Sequence, residues 1–250
     1  MIPIKTTSEI EKMRLAGQAA AMVLDYLASL VEPGRTTGEI DRSAGEMIAK
    51  LGGKSAFLGY RKFPGNICIS VNEEVVHGIG GLRRLNYGDI VKIDVGVNRG
   101  GWIGDTALTV PCGLVDPQIE RLCTATRAML YSSFEFATAG RRLGDLSAHI
   151  QEQAVQQGFG VVKEFTGHGV GCKLHEDPEV PNYGRPGTGP KLKPGMTLAV
   201  EPMINLGVSE VKILADRWTV VTADGKPSAH FEHTILITPE GPPEILTRLP

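Results

Sequence analysis

The sequence predicts an α+β fold in which a curved antiparallel sheet carries helices on its outer face. Segments with helical and strand periodicity follow each other in a fixed order along the chain. Three short sequence patterns then recur in the same order in the second half. The repeats suggest duplicated halves at about residues 8–116 and 117–240, related by a pseudo-twofold axis, although chance similarity is the alternative. We therefore treat residues 1–250 as a single domain.

Two helices are predicted at the start of the first half. The pattern Ser8-x-x-Glu11 is a capping box, and apolar residues at helical spacing follow it until Pro33-Gly34. A second helix is predicted from Thr37 to Leu51, because a threonine precedes it and a glycine pair follows it. Residues 67–71 then have the composition of a strand.

Residues 90–110 predict a hairpin with acidic residues in apolar strands. Apolar residues occupy the odd positions from 91 to 97, a turn cluster follows at 98–101, and strand composition resumes at 107. A turn centred between Arg99 and Gly100 would place Asp94 directly opposite Asp105. Like charges at opposed positions destabilise a sheet, so such a pair needs a shared proton or a cation. This is the first indication of a metal site.

The second half resembles the first. A helix is predicted over residues 145–156, and residues 194–201 parallel residues 87–94. In both strands an acidic residue lies six positions after a glycine, so Asp94 and Glu201 would be equivalent positions.

The composition is that of an ordinary globular protein, with 42% hydrophobic and 22% charged residues. A net charge of −2 and the lack of a basic stripe argue against a required nucleic acid or a membrane surface as partner. No apolar run reaches the ~18 residues of a membrane span. The four cysteines (Cys68, Cys112, Cys123 and Cys172) are dispersed, which favours reduced thiols in a cytoplasmic protein over two disulfides.

Acidic residues within apolar strands are the sharper functional signal. Asp94, Glu201 and Glu232 each lie among strand-forming apolar residues. Buried charges must be paired or bound to a metal. One such acid usually faces solvent, but together with Asp105 they make four acids on one small sheet, which solvation alone does not explain.

Three histidines (His77, His168 and His175) lie in glycine-rich strand–turn segments, where backbone and ligand can approach closely. His149 falls in a predicted helix without an acidic partner, which indicates a surface or packing role. The motifs G-x-S-x-G, P-loop and H-E-x-x-H are absent. The three histidines in glycine-rich segments, together with the acidic residues in apolar strands, therefore favour a metal-dependent function.

Five residues together resemble a known ligand set: Asp94, Asp105 eleven residues on, His168 in Thr-Gly-His-Gly-Val-Gly, Glu201 in Val-Glu-Pro-Met and Glu232 in Phe-Glu-His-Thr. They resemble the metal ligands of the pita-bread (M24-type) metallopeptidases, and among these the short bacterial form of the type I methionine aminopeptidases. The resemblance covers essentially the whole chain and implies the pseudo-symmetric pita-bread fold.

The resemblance implies removal of the N-terminal methionine from nascent proteins and peptides, with a small second residue preferred. Asp105 and Glu232 would bridge two divalent metal ions, Asp94 would complete one ion, and His168 with Glu201 the other. A hydroxide held between the ions would attack the first peptide bond. The oxygen-rich ligand set suits Co, Mn, Fe or Zn, and the sequence does not identify the metal.

The resemblance also implies roles around the metals. Glu201 would shuttle a proton, His175 would stabilise the tetrahedral intermediate, and His77 would assist the substrate backbone or the leaving group. The methionine pocket would use Tyr60, Phe63, Cys68 and Trp218, although core packing is the alternative for its three aromatic residues.

Four positions depart from the common pattern of that family. Phe57 replaces a smaller cysteine, and Leu174 replaces an aromatic residue before His175. Gly96 and Ala199 replace hydroxyl residues near the metal carboxylates. The pocket shape and the hydrogen bonding around the ligands are therefore open at this stage.

The resemblance implies three further features. A monovalent cation would bind backbone carbonyls near Asn72 and Ser228, although Glu74 is unusual in that segment. The protein would act as a monomer in the cytoplasm. Its substrates would be nascent chains at the ribosome after deformylation.

Three alternative classes fit the sequence less well. An Xaa-Pro aminopeptidase or prolidase usually carries a large N-terminal domain, for which a first helix near Ser8 leaves no room. A type II methionine aminopeptidase would carry an inserted subdomain between His175 and Glu201, where only 25 residues intervene. A non-catalytic binding protein on this fold would have lost metal ligands, and all five are present.

Overall fold

The computed structural model describes residues 1–250. The α-helices are α1 (Thr7–Ala28), α2 (Thr37–Lys50), α3 (Pro117–Ser133) and α4 (Leu143–Gln156). The strands are β1 (Lys54–Ser55), β2 (Cys68–Val71), β3 (Glu74–Val76), β4 (Ile90–Arg99), β5 (Trp102–Pro111), β6 (Gly160–Val161), β7 (Gly167–Gly169), β8 (Glu176–Val180), β9 (Thr197–Val200), β10 (Met203–Asn205), β11 (Val211–Ile213), β12 (Val220–Thr222), β13 (Ser228–His230), β14 (Glu232–Leu236) and β15 (Glu244–Ile245). Short 3₁₀ helices span Tyr60–Lys62 and Phe134–Phe136. None of the helices combines the length and the apolar character needed to cross a membrane.

The first helix begins earlier than predicted. Its capping box is Thr6 with Glu9, whose carboxylate accepts from the Thr6 backbone N–H at 2.7 Å, and not Ser8 with Glu11. Both pairs have the required Ser/Thr-x-x-Glu spacing, so the pattern alone does not choose between them. The helix also ends at Ala28, before the predicted Pro33-Gly34 stop. The second helix keeps its predicted start, with Thr36 as its cap.

One nine-stranded antiparallel sheet forms the centre of the molecule. Its order is β1-β4-β5-β14-β9-β7-β8, with β2 added on β4 and β15 added on β14. Within this sheet, first-half strands β1, β2, β4 and β5 meet the second-half strands at a seam between β5 and β14, whereas β3 pairs with β12 in a separate three-stranded sheet. Two helices precede the sheet strands in each half, in the order that the internal repeat predicts. The duplication itself and the single-domain assignment stay predictions.

The helices cover one face of this sheet. Odd-numbered residues of β4 from Val91 to Val97 pack in one apolar cluster with residues of α1 and α2. Residues of α3 and α4 form a second cluster with β9 and β14. Because side chains alternate along a strand, the even-numbered residues of β4 face away from the helices. The acidic residues therefore lie on the opposite face.

The turn between β4 and β5 differs from the predicted one. Arg99 pairs with Trp102, so the turn consists of Gly100 and Gly101 alone. Both glycines have positive φ angles, 62° and 84°. This is the conformation that two-residue hairpin turns require and that glycine adopts without strain.

The predicted pairing of Asp94 with Asp105 is therefore wrong by two residues. Asp94 lies opposite Ala107, and Asp105 lies opposite Gly96. A shift of two residues keeps both carboxylates on the same face of the sheet, because side chains alternate with a period of two. The two acids are diagonal neighbours, which still brings them to one site.

We predict that Gly104→Ala destabilises the protein by about 1–3 kcal/mol, because overpacking costs this much. A Cβ at Gly104 would lie 2.5 Å from backbone atoms of Ala16 and Gly17, where α1 crosses β5. Urea unfolding measures the change. Gly81→Ala is the control, because a Cβ there would meet only the Ile79 carbonyl oxygen, at 3.9 Å. Equal effects of the two substitutions would show that the close helix–strand approach is not a constraint.

Candidate metal centre and active site

Three carboxylates converge on the sheet face that the helices leave uncovered. Asp94 on β4 lies opposite Ala107 on β5, and Ala107 lies opposite Glu232 on β14. Asp105 stands two residues before Ala107 on the same face. The small side chain of Ala107 leaves the space among the three acids open.

Threonine hydroxyls tie the seam between the halves next to these acids. Thr106 Oγ1 donates to the Glu232 carbonyl oxygen at 2.8 Å, and Thr234 Oγ1 donates to the Asp105 carbonyl oxygen at 2.7 Å. Both hydroxyls are buried. The backbones of Asp105 and Glu232 are thereby held against each other across β5 and β14.

The second half supplies a histidine and a fourth acid. His168 on β7 lies opposite Ala199 on β9, and Glu201 follows the end of β9. His168 Nε2 lies 3.7 Å from Asp105 Oδ2 and 3.6 Å from Glu201 Oε1. Ligand atoms of Asp105, His168 and Glu232 all lie within 4.8 Å of one another.

The ring of His168 is oriented with one nitrogen free. Its Nδ1 lies 2.9 Å from the Gly169 carbonyl oxygen, and a carbonyl only accepts, so Nδ1 carries the hydrogen. Burial, and secondarily His175, lowers the pKa of His168 to about 3, so the ring is neutral at physiological pH. Nε2 therefore presents a lone pair to the carboxylates, which is the arrangement of a metal-binding histidine.

One oxygen on each of three carboxylates lacks a partner within the protein. Asp94 Oδ1, Asp105 Oδ1 and Glu232 Oε1 are buried and accept no hydrogen bond. Burial raises the pKa of each of these acids and of Glu201, and their mutual repulsion raises it further. Orphaned carboxylate oxygens beside a neutral imidazole are hard ligands for a divalent cation. The residues therefore fit divalent metal ions.

All eleven predicted site residues line one cavity of about 270 Å³. They are Tyr60, Phe63, Cys68, His77, Asp94, Asp105, His168, His175, Glu201, Trp218 and Glu232. The carboxylates and His168 form one end of it, and the aromatic residues and Cys68 form another wall.

His175 is held by the aromatic wall. Its Nδ1 lies 2.9 Å from the Tyr60 hydroxyl, and its ring centroid lies 4.1 Å from that of His168. Burial lowers the pKa of His175, and Arg61 adds to this effect. The neutral ring stands at the edge of the carboxylate cluster with Nε2 free to donate to or accept from a substrate.

Phe63, His77 and Trp218 form an aromatic corner. Phe63 meets Trp218 edge-on at 5.0 Å, and His77 meets Trp218 edge-on at 6.2 Å. Burial lowers the pKa of His77 to about 4, and His77 adopts a φ of 60°, which is uncommon outside glycine. Cys68 lies opposite Asp94, and burial with the nearby carboxylates raises the pKa of its thiol. Cys68 is therefore an uncharged pocket wall and not a nucleophile.

The sequence departures at Phe57 and Gly96 are coupled in the structure. A Cβ at Gly96 would lie 2.5 Å from Phe57 Cε1, so the larger side chain at 57 requires the glycine. Phe57 and Leu174 belong to the same buried apolar cluster as Cys68. The Phe57 ring therefore fills the space that a hydroxyl residue at position 96 would need.

His230 is a site residue that the sequence analysis missed. Its side chain is buried, neither ring nitrogen has a hydrogen-bond partner, and Nε2 lies 3.5 Å from Glu201 Oε2. Burial lowers its pKa to about 3. His230 ends β13 and its contact with Glu201 joins segments distant in sequence, so no local pattern indicated it.

The expected monovalent cation near Asn72 and Ser228 does not fit the structure. The Asn72 carbonyl oxygen accepts from Lys92 Nζ at 2.6 Å and from the Ser228 backbone N–H at 3.0 Å. A carbonyl oxygen has two lone pairs, so both are in use.

Asp105→Asn should raise the stability of the metal-free protein and remove its stabilisation by metal. Because burial raises the pKa of these carboxyl groups in the folded state, the folded protein keeps protons above pH ~4 that the unfolded chain releases. The free energy of unfolding of the wild type therefore falls as the pH rises above ~4. Asparagine does not titrate, so we expect the variant to gain roughly 1–3 kcal/mol above pH ~5 and nothing below pH ~3.

Thermal unfolding with and without Mn²⁺ measures both effects, because a ligand of the native state raises the midpoint. A variant that is less stable without metal, or as strongly stabilised by Mn²⁺ as the wild type, would contradict this account of the carboxylates.

The comparisons with known proteins agree with this geometry. The model of metallopeptidase family M24 matches residues 11–239. The methionine aminopeptidase of Clostridium perfringens is 50% identical over 99% of both chains, and methionine aminopeptidase 1 of Bacillus subtilis is 49% identical over 100% of both.

A solved structure agrees as well. The crystal structure of methionine aminopeptidase from Thermotoga maritima has a TM-score of 0.97 to this chain at 47% identity, covering 99% of this chain and 100% of that one. The predicted pita-bread fold and metal-dependent aminopeptidase activity are confirmed by these relatives. The chain therefore belongs to metallopeptidase family M24 and, within it, to the methionine aminopeptidases, which remove N-terminal methionine.

Proposed function

We propose that Asp94, Asp105, His168, Glu201 and Glu232 hold two divalent metal ions, and that the adjoining cavity receives an N-terminal methionine. The observation that carries this proposal is the orphaned, buried oxygen on each of three acids that share one sheet face. Asp105 and Glu232, which meet at the seam, are suited to bridge the ions. When bound, two such ions acidify a shared water and polarise the carbonyl of the scissile bond.

The chain's own residues complete the chemistry. Glu201 lies between His168 and His230, at 3.6 Å and 3.5 Å, with a pKa raised by burial. A carboxyl group of this kind can take a proton from the attacking water and release it to the departing amine. His230 Nε2 faces the same carboxylate and has no hydrogen-bond partner of its own.

His175 is the proposed stabiliser of the tetrahedral intermediate. The Tyr60 hydroxyl holds the ring by Nδ1 at 2.9 Å, which leaves Nε2 for the substrate. A preoriented donor aimed at developing negative charge stabilises the transition state more than the ground state. His77, which meets Trp218 edge-on in the aromatic corner, would hold the substrate backbone or assist the leaving amine.

Tyr60, Phe63, Cys68 and Trp218 are proposed to give the specificity for methionine. The three aromatic rings and the uncharged thiol line the cavity, and thioethers pack favourably against such surfaces. The cavity, at about 270 Å³, lies at the lower end of small-molecule sites. It therefore suits one long side chain, followed by a small second residue.

The substrates are proposed to be deformylated nascent chains at the ribosome, and the location the cytoplasm. All four cysteines are free, which suits a reducing compartment. All eleven proposed site residues of a single chain line one cavity, which supports the proposal of a monomer. Co, Mn, Fe and Zn all accept this ligand set.

Peptide hydrolysis tests the proposed specificity. Protein reconstituted with Mn²⁺ or Co²⁺ should release methionine from Met-Ala-Ser peptides, release it more slowly when the second residue is large, and leave Xaa-Pro peptides intact. Chromatography of the free amino acids gives the rates. Release of the residue before proline, without release of methionine, would overturn the assignment.

His175→Ala should reduce kcat by roughly 10²-fold while metal content stays unchanged, because it removes one transition-state donor and no ligand. His149→Ala is the matched control, since His149 stacks on Phe136 at 4.5 Å and lines no part of the cavity. Metal analysis of the purified variants accompanies the rates. Loss of bound metal from the His175 variant would contradict its assigned role.

A further inference from the structure

Lys92 is the largest fully buried side chain in the molecule, with 1% of its surface exposed. It lies on the same face of β4 as Asp94, between Ser70 on β2 and Thr109 on β5. Lysine is almost never fully buried unless its amine is paired. Its location beside the active site therefore requires an explanation that the peptidase chemistry does not supply.

The amine is paired with one backbone oxygen. Lys92 Nζ donates to the Asn72 carbonyl at 2.6 Å, and the Ser228 backbone N–H donates to the same oxygen at 3.0 Å. The contact is short, as expected for a charge-assisted hydrogen bond. The two donors occupy both lone pairs of that carbonyl.

Hydrogen bonds fix the conformation of the turn that carries this oxygen. Asn72 has a φ of 53°, its side-chain amide donates to Asp89 Oδ1 at 2.8 Å, and its side-chain oxygen accepts from the Ile90 N–H at 2.9 Å. Its backbone N–H donates to the Ile90 carbonyl at 2.9 Å. The Asn72 carbonyl therefore has one fixed direction, and it points at the amine.

The Asn72 carbonyl joins the two halves beside the active site. The Asn72 turn follows β2, which carries Cys68, and leads through β3 to His77. Ser228 begins β13, which ends at His230. The Ser228 N–H thus joins a second-half strand to the Asn72 carbonyl, and Lys92 Nζ fixes that carbonyl from the first-half side, two residues from Asp94 on its own strand.

We infer that the amine of Lys92 is a tethered substitute for a monovalent cation: it occupies the position on the Asn72 carbonyl that such a cation would take. An amine N–H and an alkali-metal ion both bind carbonyl oxygens, so either can occupy this position. The protein therefore needs no sodium or potassium ion at this junction. Lys92 acts as a positioning residue, because it reaches the active site only through the strands that it joins.

Glu74, the acidic residue that most favours a charged Lys92, has hydrogen-bond partners of its own. Glu74, on the strand that follows the turn, accepts from Arg83 at 2.7 Å and from the Val71 N–H at 2.6 Å. Burial lowers the pKa of Lys92 to about 7, and Glu74 opposes that shift. Both the ammonium and the neutral amine donate to a carbonyl, so the contact with Asn72 does not depend on the titration.

Thermal unfolding of the Mn²⁺-loaded protein in KCl, NaCl and choline chloride tests the inference, at equal ionic strength so that screening is constant. The wild-type midpoint should be the same in all three salts. Lys92→Ala should lower the midpoint by roughly 5–15 °C in choline chloride, because it leaves a cavity and leaves one lone pair of the Asn72 carbonyl oxygen without a partner. KCl or NaCl should restore part of that loss.

Lys5→Ala is the matched control, because Lys5 is also buried and its amine pairs with Glu176 at 2.6 Å rather than with a backbone carbonyl. This variant should lose stability without any preference among the three salts. Alkali-specific recovery confined to the Lys92 variant is the result that supports the inference.

Two results would overturn it. One is stabilisation of the wild-type protein by KCl or NaCl over choline chloride, and the other is an absence of alkali-specific recovery in folded Lys92→Ala. If that variant does not fold, ²³Na NMR of the wild-type protein tests the inference instead. Saturable line broadening that potassium reverses would overturn the inference, and its absence would support it.

Discussion

The concentration of negative charge on one face of the sheet is the constraint on which the rest of the structure depends. Asp94, Asp105 and Glu232 each present a buried oxygen without a partner. Burying such groups costs several kcal/mol each unless cations compensate them. A sheet that retains this arrangement is built for its metal ions. Its intrinsic stability is lower than that of a sheet with apolar residues at the same positions.

The fold meets this constraint by joining two halves at the β5–β14 seam. Threonine hydroxyls fix the backbones of Asp105 and Glu232 at that seam, and Ala107 and Ala199 keep the neighbouring positions small. The helices cover the other face, so the catalytic face is free for the cavity. The first half contributes most of the aromatic wall, the second half contributes His168 and Glu201, and neither half has a complete site alone.

Much of the site was predictable because acidic residues within apolar strands are costly and therefore informative. Alternation placed Asp94 on the same sheet face as the other acids, and the resemblance of the flanking motifs gave the proposed ligand set, whose five members line one cavity. The exact register was not predictable, because Arg99-Gly100 and Gly100-Gly101 both have the composition of a turn. The same ambiguity affected the cap of α1, where two Thr/Ser-x-x-Glu patterns overlap. The contacts of Lys92 and His230 depend on strands distant in sequence, and no local pattern encodes them.

The central claim is that the uncovered sheet face holds two ions and not one. Anomalous diffraction from crystals of the Mn²⁺-loaded protein, recorded on both sides of the manganese absorption edge, measures this directly. The account predicts two anomalous peaks roughly 3.5–4 Å apart, both touching Asp105 and Glu232. A single fully occupied peak at saturating Mn²⁺, or peaks away from these carboxylates, would contradict it.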